Sequence, residues 1–320
     1  MAERVRIAVP GDFPRQIAGS PHLKRLEPYG DVTVYESSPA EAAEKIERVR
    51  DCEVIINSRG VVTWRDELEQ LPRLRMITTC SIGTDMIDLA LARNRGVVVS
   101  NQPGRTAPVV AEHMFGLMFA LAKSAAFQTA EIKAGRWTRK MNGMLQGKVM
   151  GIVGTGAIGA EMARLAGAVG MEVIAWTFNP SPERARALDV EFVALEELLA
   201  RADVVSLHVK LTAETQGFVG SEELARMKQG ALLLNGARGD VVDLEGLTAA
   251  LRDGHLGGAA LDVFPDEPFV RSHPILECEN VVFTPHAADQ TPEGVDLLNE
   301  GAVDNVIAFL EGNPQNNVAV

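Results

Sequence analysis

Two successive series of short, Val- and Ile-rich runs, separated by stretches with helical patterning, constrain this chain more than any other feature. The first series holds Val5–Val9, Val32–Tyr35, Glu53–Asn57, Leu74–Thr79 and Val97–Ser100. The second begins after Gly147 with Val149–Val153, Glu172–Thr177, Val204–Val209, Ala231–Leu234, Ala259–Val263 and Val281–Thr284. Continuous apolar runs suit strands that are covered by helices on both faces, which is the setting of parallel sheets. The alternation therefore predicts an α/β protein with two doubly wound parallel-sheet domains and a cleft between them. The length of 320 residues agrees, because a single core rarely grows beyond about 250–300 residues.

Helix boundaries can be read at several points. Ser38-Pro39-Ala40-Glu41 reads as a capped start, with Ser38 as cap, Pro39 in the first turn and the helix running to about Arg50. Asp243 and Gly254 read as the cap and stop of another helix, and Thr291-Pro292-Glu293 opens a final one. The apolar stretch Val109–Ala122 contains Glu112 and His113 and falls short of the ~20 residues a bilayer span needs, so it reads as a buried helix. A polar tail, Asn313 to Asn317, follows the last helix.

Composition narrows the function classes. Apolar residues make up 46% and charged residues 23%, which suits a folded globular chain rather than a disordered one. The net charge of -12, with no basic run, argues against a nucleic-acid partner. Val5–Val9 reads as a first strand rather than as part of a leader, and no segment reads as a membrane span. Cys52, Cys80 and Cys278 have no metal-ligand spacing and read as small hydrophobes in a reducing, cytoplasmic setting, with no metal expected.

Gly154-Thr155-Gly156-Ala157-Ile158-Gly159 follows an apolar strand and opens a helix over Glu161–Val169. In that context the glycine pattern points to a dinucleotide. The first glycine allows a tight turn, the second lets the backbone approach pyrophosphate, and the third lets helix and strand pack closely. The helix N-terminus adds free amides for the phosphates. The next strand should end in an acid for the ribose 2′-hydroxyl of NAD. Thr177 stands there, followed by Phe178 and Asn179, with Arg184 and Arg186 nearby. NAD and NADP both remain open as the cofactor.

Three chemistry-bearing residues follow strand-like runs of the second series: Arg238 in Asn235–Asp240, Glu267 in Leu261–Pro268, and His286 in Thr284–Ala288. Taken singly, they could be a surface cation, a solvated turn acid and a loop histidine. Together they would supply what hydride transfer to a 2-oxo acid needs: a cation for carboxylate or carbonyl, a general acid, and a carboxylate to orient that acid.

With these residues the chain resembles the D-isomer-specific 2-hydroxyacid dehydrogenases, over essentially its whole length. The likeness is carried by the glycine turn, ADVVSLHVKLTAET at Ala202–Thr215, LLLNGARGDVVD at Leu232–Asp243, AALDVFPDEP at Ala259–Pro268 and TPHAADQT at Thr284–Thr291. SIGTDMIDL at Ser81–Leu89 and VSNQPGRTAPVVAEH at Val99–His113 extend it to the first series. The resemblance implies two Rossmann-like domains and an NAD(P)-dependent enzyme acting on small 2-oxo or 2-hydroxy acids, of the glyoxylate or hydroxypyruvate reductase kind. His286 is implied as proton donor, Glu267 as its hydrogen-bonding acid and Arg238 as the substrate clamp. Gly154, Gly156, Ala157, Ile158, Gly159, Thr177, Asn179, His208, Val209, Ala237, Arg238, Asp262, His286 and Ala288 are implied to contact cofactor, Asp262 through the nicotinamide carboxamide. Lys210 departs from the proline common at its position.

The resemblance also places Arg59 and the Ser81-Ile82-Gly83 backbone near the substrate carboxylate, while His113, after Glu112 on a buried helix, reads as structural or at a subunit interface rather than catalytic. It implies a discontinuous, flavodoxin-like substrate domain from residues 1–100 and 289–320, with the dinucleotide domain inserted over 101–288. It implies a homodimer built largely on the inserted domain, for which the Val109–Ala122 helix is either interface or core. A nucleotide-sensing, corepressor-like binding protein on the same fold is the alternative.

Overall fold

The computed structural model describes residues 4–58, 62–269 and 272–320. The first stretch of chain forms β1 (Val5–Val9), β2 (Gly30–Val34), α1 (Ala42–Val49), β3 (Val54–Asn57), β4 (Met76–Thr79), α2 (Leu89–Asn94) and β5 (Val98–Ser100). The middle begins with α3 (Ala107–Ala122), α4 (Ala125–Lys133), β6 (Val149–Val153), α5 (Ala157–Ala168), β7 (Glu172–Trp176), α6 (Pro182–Leu188) and β8 (Glu191–Phe192). It continues with α7 (Leu195–Arg201), β9 (Val204–Leu207), α8 (Ser221–Arg226), β10 (Leu232–Asn235), α9 (Leu244–Arg252), β11 (Gly258–Leu261) and β12 (Val281–Phe283). The final helix is α10 (Pro292–Leu310). The chain divides into two units, Met1–Thr106 with Gln290–Val320, and Ala107–Asp289.

In the first unit five parallel strands lie in the order β2-β1-β3-β4-β5, the flavodoxin-like order. Side chains alternate across it, as the strand period of two requires. Ala8, Ile55, Ile77 and Val99 enter one core, while Ile7, Val9, Val54, Ile56 and Met76 enter another, with Leu298, Ala302 and Val303 of α10. The returning helix thus completes the cover of a sheet face on which Ile17 and Leu26 also pack. The polar tail is pinned to β5: Val318 N donates to Val99 O and Ser100 Oγ donates to Gln315 O.

In the second unit seven parallel strands run β12-β11-β10-β9-β6-β7-β8. The same parity holds. Val153, Ile174, Val205, Leu233 and Ala259 face one core with α7, α8 and α9. Ile152, Ala175, Val204, Leu234 and Ala260 face the other with α3 and α5. Met114, Leu117, Met118 and Leu121 of α3 lie in this core, so one face of that apolar helix is an internal layer. The chain leaves β6 toward β7 on one side and returns to β9 on the other. The end of β6 is therefore the topological switch point, where such sheets bind ligands.

One helix start differs from the sequence reading. α1 begins at Ala42 after Glu41, not after Ser38. Arg48 donates to Pro10 O, Ser37 O and Ser37 Oγ, and Glu44 accepts from Ala40 N. These bonds keep 37–40 out of the helix, whose N-cap residue Glu41 makes no side-chain cap bond. Asp243 and Thr291 do cap, accepting from Gly246 N and Gly294 N. No single helix among the described residues is long and apolar enough to cross a membrane. No metal-binding cluster of His, Cys, Asp and Glu occurs among them either.

Candidate active site

The glycine turn occupies the switch point of the second unit. Gly154 has φ +97°, a conformation that side chains with a Cβ rarely adopt, and a Cβ there would lie 2.8 Å from the His208 carbonyl. Gly159 passes so close that a Cβ would fall 2.0 Å from Gly154 O. Gly156 has ordinary φ and open space before it, at the N-terminus of the twelve-residue α5. Two glycines are therefore required by the protein's own packing, and the middle one leaves a cradle that a Cβ would fill. This fits a pyrophosphate over free helix amides.

His208 and Val209 abut the turn at the end of β9, with His208 N donating to Val153 O. Ser206 Oγ lies 2.8 Å from His208 Nε2, and burial pushes the imidazole down to about 4, so it is neutral at pH 7. Lys210 is exposed, and its carbonyl accepts from Thr215 Oγ1 at 2.5 Å. Thr177 and Asn179 follow β7. Arg184 donates to Asn179 O, Thr155 O and Thr155 Oγ1.

Arg238 stands on the turn after β10. Asn235, 1% exposed, ties that turn by donating from Nδ2 to Arg238 O and accepting from Ala237 N. Gly239 lets the turn press on the loop after β11, since a Cβ there would lie 2.0 Å from Phe264 C. That second loop carries Glu267, whose Oε1 accepts from Phe264 N at 3.0 Å. Its Oε2 accepts from His286 Nδ1 at 2.7 Å. Burial pushes Glu267 up, but the bonds from His286 and Phe264 and the His286 and Arg238 charges outweigh it and hold the carboxyl below its ordinary range. The structure thus brings Arg238, Glu267 and His286 together around one carboxylate.

His286 has φ +50° and sits after β12, with its backbone N donating to Asp262 O at 2.7 Å. The Asp262 carboxylate, 1% exposed, accepts from Thr284 Oγ1, Ala287 N and Ala288 N. His113 Nε2 lies 3.1 Å from Thr284 Oγ1 and 3.5 Å from Asp262 Oδ1. His113 is therefore a structural residue of this unit, buttressing the loop that presents His286. The sequence reading missed Asn235, Thr284 and the Thr155–Arg184 tie. The one available signal was Asn235, a polar residue ending the buried run Leu232–Asn235.

In the first unit, Ser81, Ile82 and Gly83 follow β4. Their carbonyls accept from Gln102 N and Thr79 Oγ1, from Asn101 Nδ2, and from Ser81 Oγ respectively. Among the described residues the amides of Ile82 and Gly83 donate no hydrogen bond. A loop with its carbonyls tied back and its amides outward is suited to an anion. Arg59 lies outside the described residues.

Comparison with known proteins adds an independent line. Residues 115–288 match the family model described as D-isomer specific 2-hydroxyacid dehydrogenase, NAD binding domain. The chain belongs to this family. It is a nicotinamide-dependent oxidoreductase acting on 2-oxo and 2-hydroxy acids, with NAD or NADP as cofactor. A glyoxylate reductase of Korarchaeum cryptofilum is 36% identical over 297 residues, covering 91% of this chain and 90% of its own. The structure of a glyoxylate reductase from Paecilomyes thermophila superposes with a TM-score of 0.90 at 26% identity, covering 99% of each chain. A D-lactate dehydrogenase from Aquifex aeolicus, complexed with NAD and lactic acid, gives 0.86 at 28% identity, covering 98% of this chain and 99% of that one. These relatives are reductases or dehydrogenases, and the alternative of a corepressor-like binding protein draws no support from them.

Proposed function

We propose that this member of the family is a glyoxylate or hydroxypyruvate reductase with Arg238, Glu267 and His286 as its catalytic residues. The observation that carries the assignment is the 2.7 Å bond from His286 Nδ1 to a Glu267 carboxylate that also feels the Arg238 charge. The bound nicotinamide supplies the hydride that reaches the carbonyl carbon. Arg238 pairs with the substrate carboxylate and polarises the carbonyl. With Nδ1 engaged by Glu267, proton delivery to the developing alkoxide falls to His286 Nε2, and Glu267 steadies the imidazolium beforehand. Asp262 fixes the loop that aims His286, and its Oδ2, with one donor, keeps capacity for the carboxamide N–H of the cofactor. Gly154, Gly156, Ala157, Ile158 and Gly159 hold the pyrophosphate, with Thr177, Asn179, His208, Val209, Ala237 and Ala288 lining the remaining cofactor surface. The Ile82 and Gly83 amides receive the substrate carboxylate.

Two further readings go with this one. The free thiols of Cys52 and Cys80, both buried, suit a cytoplasmic setting. A homodimer is supported by Ile132, Trp137, Met141 and Met144, large apolar side chains exposed on the segment around the end of α4.

The test is a panel of glyoxylate, hydroxypyruvate and pyruvate, followed through reduced-cofactor absorbance. Turnover is expected to fall about 10²–10⁴-fold in His286→Ala and about 10²–10³-fold in Arg238→Ala, with cofactor binding retained. Wild-type rates in both variants, or no oxidation of cofactor with any 2-oxo acid, would reject the assignment.

A further inference from the structure

We propose that this protein selects NADP(H) over NAD(H), and that Arg184, held against the glycine turn, receives the 2′-phosphate. The inference rests on the nucleotide-binding reading above. In an NAD site the strand after the glycine turn ends in a carboxylate, which binds the ribose 2′-hydroxyl and repels a phosphate placed there. Thr177 occupies that position, which removes the repulsion. Attraction then needs a cation held nearby.

Of the two nearby arginines, the structure singles out one. Arg186 is exposed and lies 3.5 Å from Glu183. Arg184 is half-buried at the start of α6, after Ser181, which caps the helix by accepting from Arg184 N. Its Nη2 donates to Thr155 O at 2.8 Å and to Thr155 Oγ1 at 2.7 Å, and its Nη1 donates to Asn179 O at 2.8 Å. Thr155 is the residue between the first two glycines of the turn, and Asn179 lies two residues beyond Thr177. The guanidinium therefore bridges the two segments that border the adenosine ribose.

All three acceptors are neutral, and no described carboxylate lies within 4.0 Å of Arg184. Its charge is held in place by these bonds but is left unneutralised. A guanidinium has five N–H donors in a fixed fork suited to phosphate, so the three bonds seen leave donors for a dianion.

The experiment measures dissociation constants of NADPH, NADH, 2′,5′-ADP and 5′-AMP by calorimetry on the intact chain, independently of turnover. The wild type is expected to bind NADPH and 2′,5′-ADP at least about 10-fold tighter than their partners lacking the phosphate. Arg184→Ala should lose about 10–100-fold in affinity for the phosphorylated pair, the worth of a hydrogen bond to a charged group, and less than about 2-fold for NADH. Arg184→Lys should restore part of that loss. Thr177→Asp, which leaves the Arg184 tie in place, should weaken NADPH and strengthen NADH. Raising salt should narrow the wild-type preference, because the contact is between charges near the surface. Equal wild-type affinities for NADPH and NADH would overturn the inference and leave the dehydrogenase reading standing. An equal loss for both nucleotides in Arg184→Ala would overturn it as well, reducing Arg184 to a brace for the turn. If the wild type bound neither dinucleotide, the dehydrogenase reading itself would fall.

Discussion

Asp262 sets the geometry at the residue scale. Its carboxylate is 1% exposed and accepts from Thr284 Oγ1, Ala287 N and Ala288 N, so three donors of the His286 loop depend on a charge kept inside the protein. Burial pushes its pKa up, but the bonds from His113, Thr284 and Ala287 outweigh it and leave the value below the ordinary 3.8. A carboxyl with a lowered folded value contributes stability that is complete above its unfolded value and is lost as pH falls through the folded one. Asp262→Asn should therefore cost about 1–3 kcal/mol at pH 7, where an amide must face the Ala287 or Ala288 N–H. Its melting temperature should also fall less steeply than that of the wild type as pH drops below 3.8, read by circular dichroism. Equal melting temperatures at pH 7 would show that the charge does not hold the loop. Arg238, Glu267 and His286 were legible as residue types after strand ends. Asp262's work was not, because Thr284 and His113 reach it from 22 and far more residues away, and no local pattern records such partners.

The elements were legible wherever burial is symmetric. β6 coincides with its apolar run because every residue in it is apolar or small and nearly all are buried, and β1 does so with Arg6 as its one exposed polar member. β8 escaped notice because two residues at a sheet edge carry no period. The start of α1 was misplaced because Arg48, a turn and more along the helix, decides where the extended chain ends. Glycines give the sharpest element-scale test, because the same residue type serves opposite ends here. Gly239→Ala puts a Cβ 2.0 Å from the Phe264 backbone, which cannot yield as a side chain tip would. It should destabilise the fold by about 1–3 kcal/mol and also cut turnover by parting the Arg238 and Glu267 loops. Gly156→Ala meets no atom within 4 Å, so its melting temperature should stay near wild type while dinucleotide affinity falls at least about 10-fold. Unfolding and calorimetric titrations on both variants separate the cases. A Gly156→Ala variant that binds normally would remove the phosphate from the cradle.

For the molecule as a whole, the open question is what covers the segment after α4. Ile132 is 57% exposed, Trp137 80%, Met141 94% and Met144 63%, so four of the exposed large apolar side chains fall within one short segment. The segment is nevertheless held in one course. Arg136 and Thr138 both donate to Glu131, and these bonds push its carboxyl down to about 2. Lys140 Nζ lies 4.5 Å from the Phe127 ring centroid, and Gly143 N donates to Ala122 O while Lys123 Nζ donates to Gly143 O. A surface arranged in advance loses little entropy on association, which favours docking over disorder. A second copy is the partner consistent with the homodimer proposed above, since a two-fold contact uses the same patch twice. Light scattering on the eluting wild type should then give twice 34.4 kDa, and Trp137→Asp with Met141→Asp should give 34.4 kDa with the far-ultraviolet spectrum unchanged. The paired substitution places charges where apolar contact is required and touches no residue assigned to catalysis, so His286 chemistry should survive to the extent that the site is complete in one chain. A wild type of single mass, or a doubly substituted chain that still elutes as a dimer, would mean that the exposed apolar residues serve another purpose.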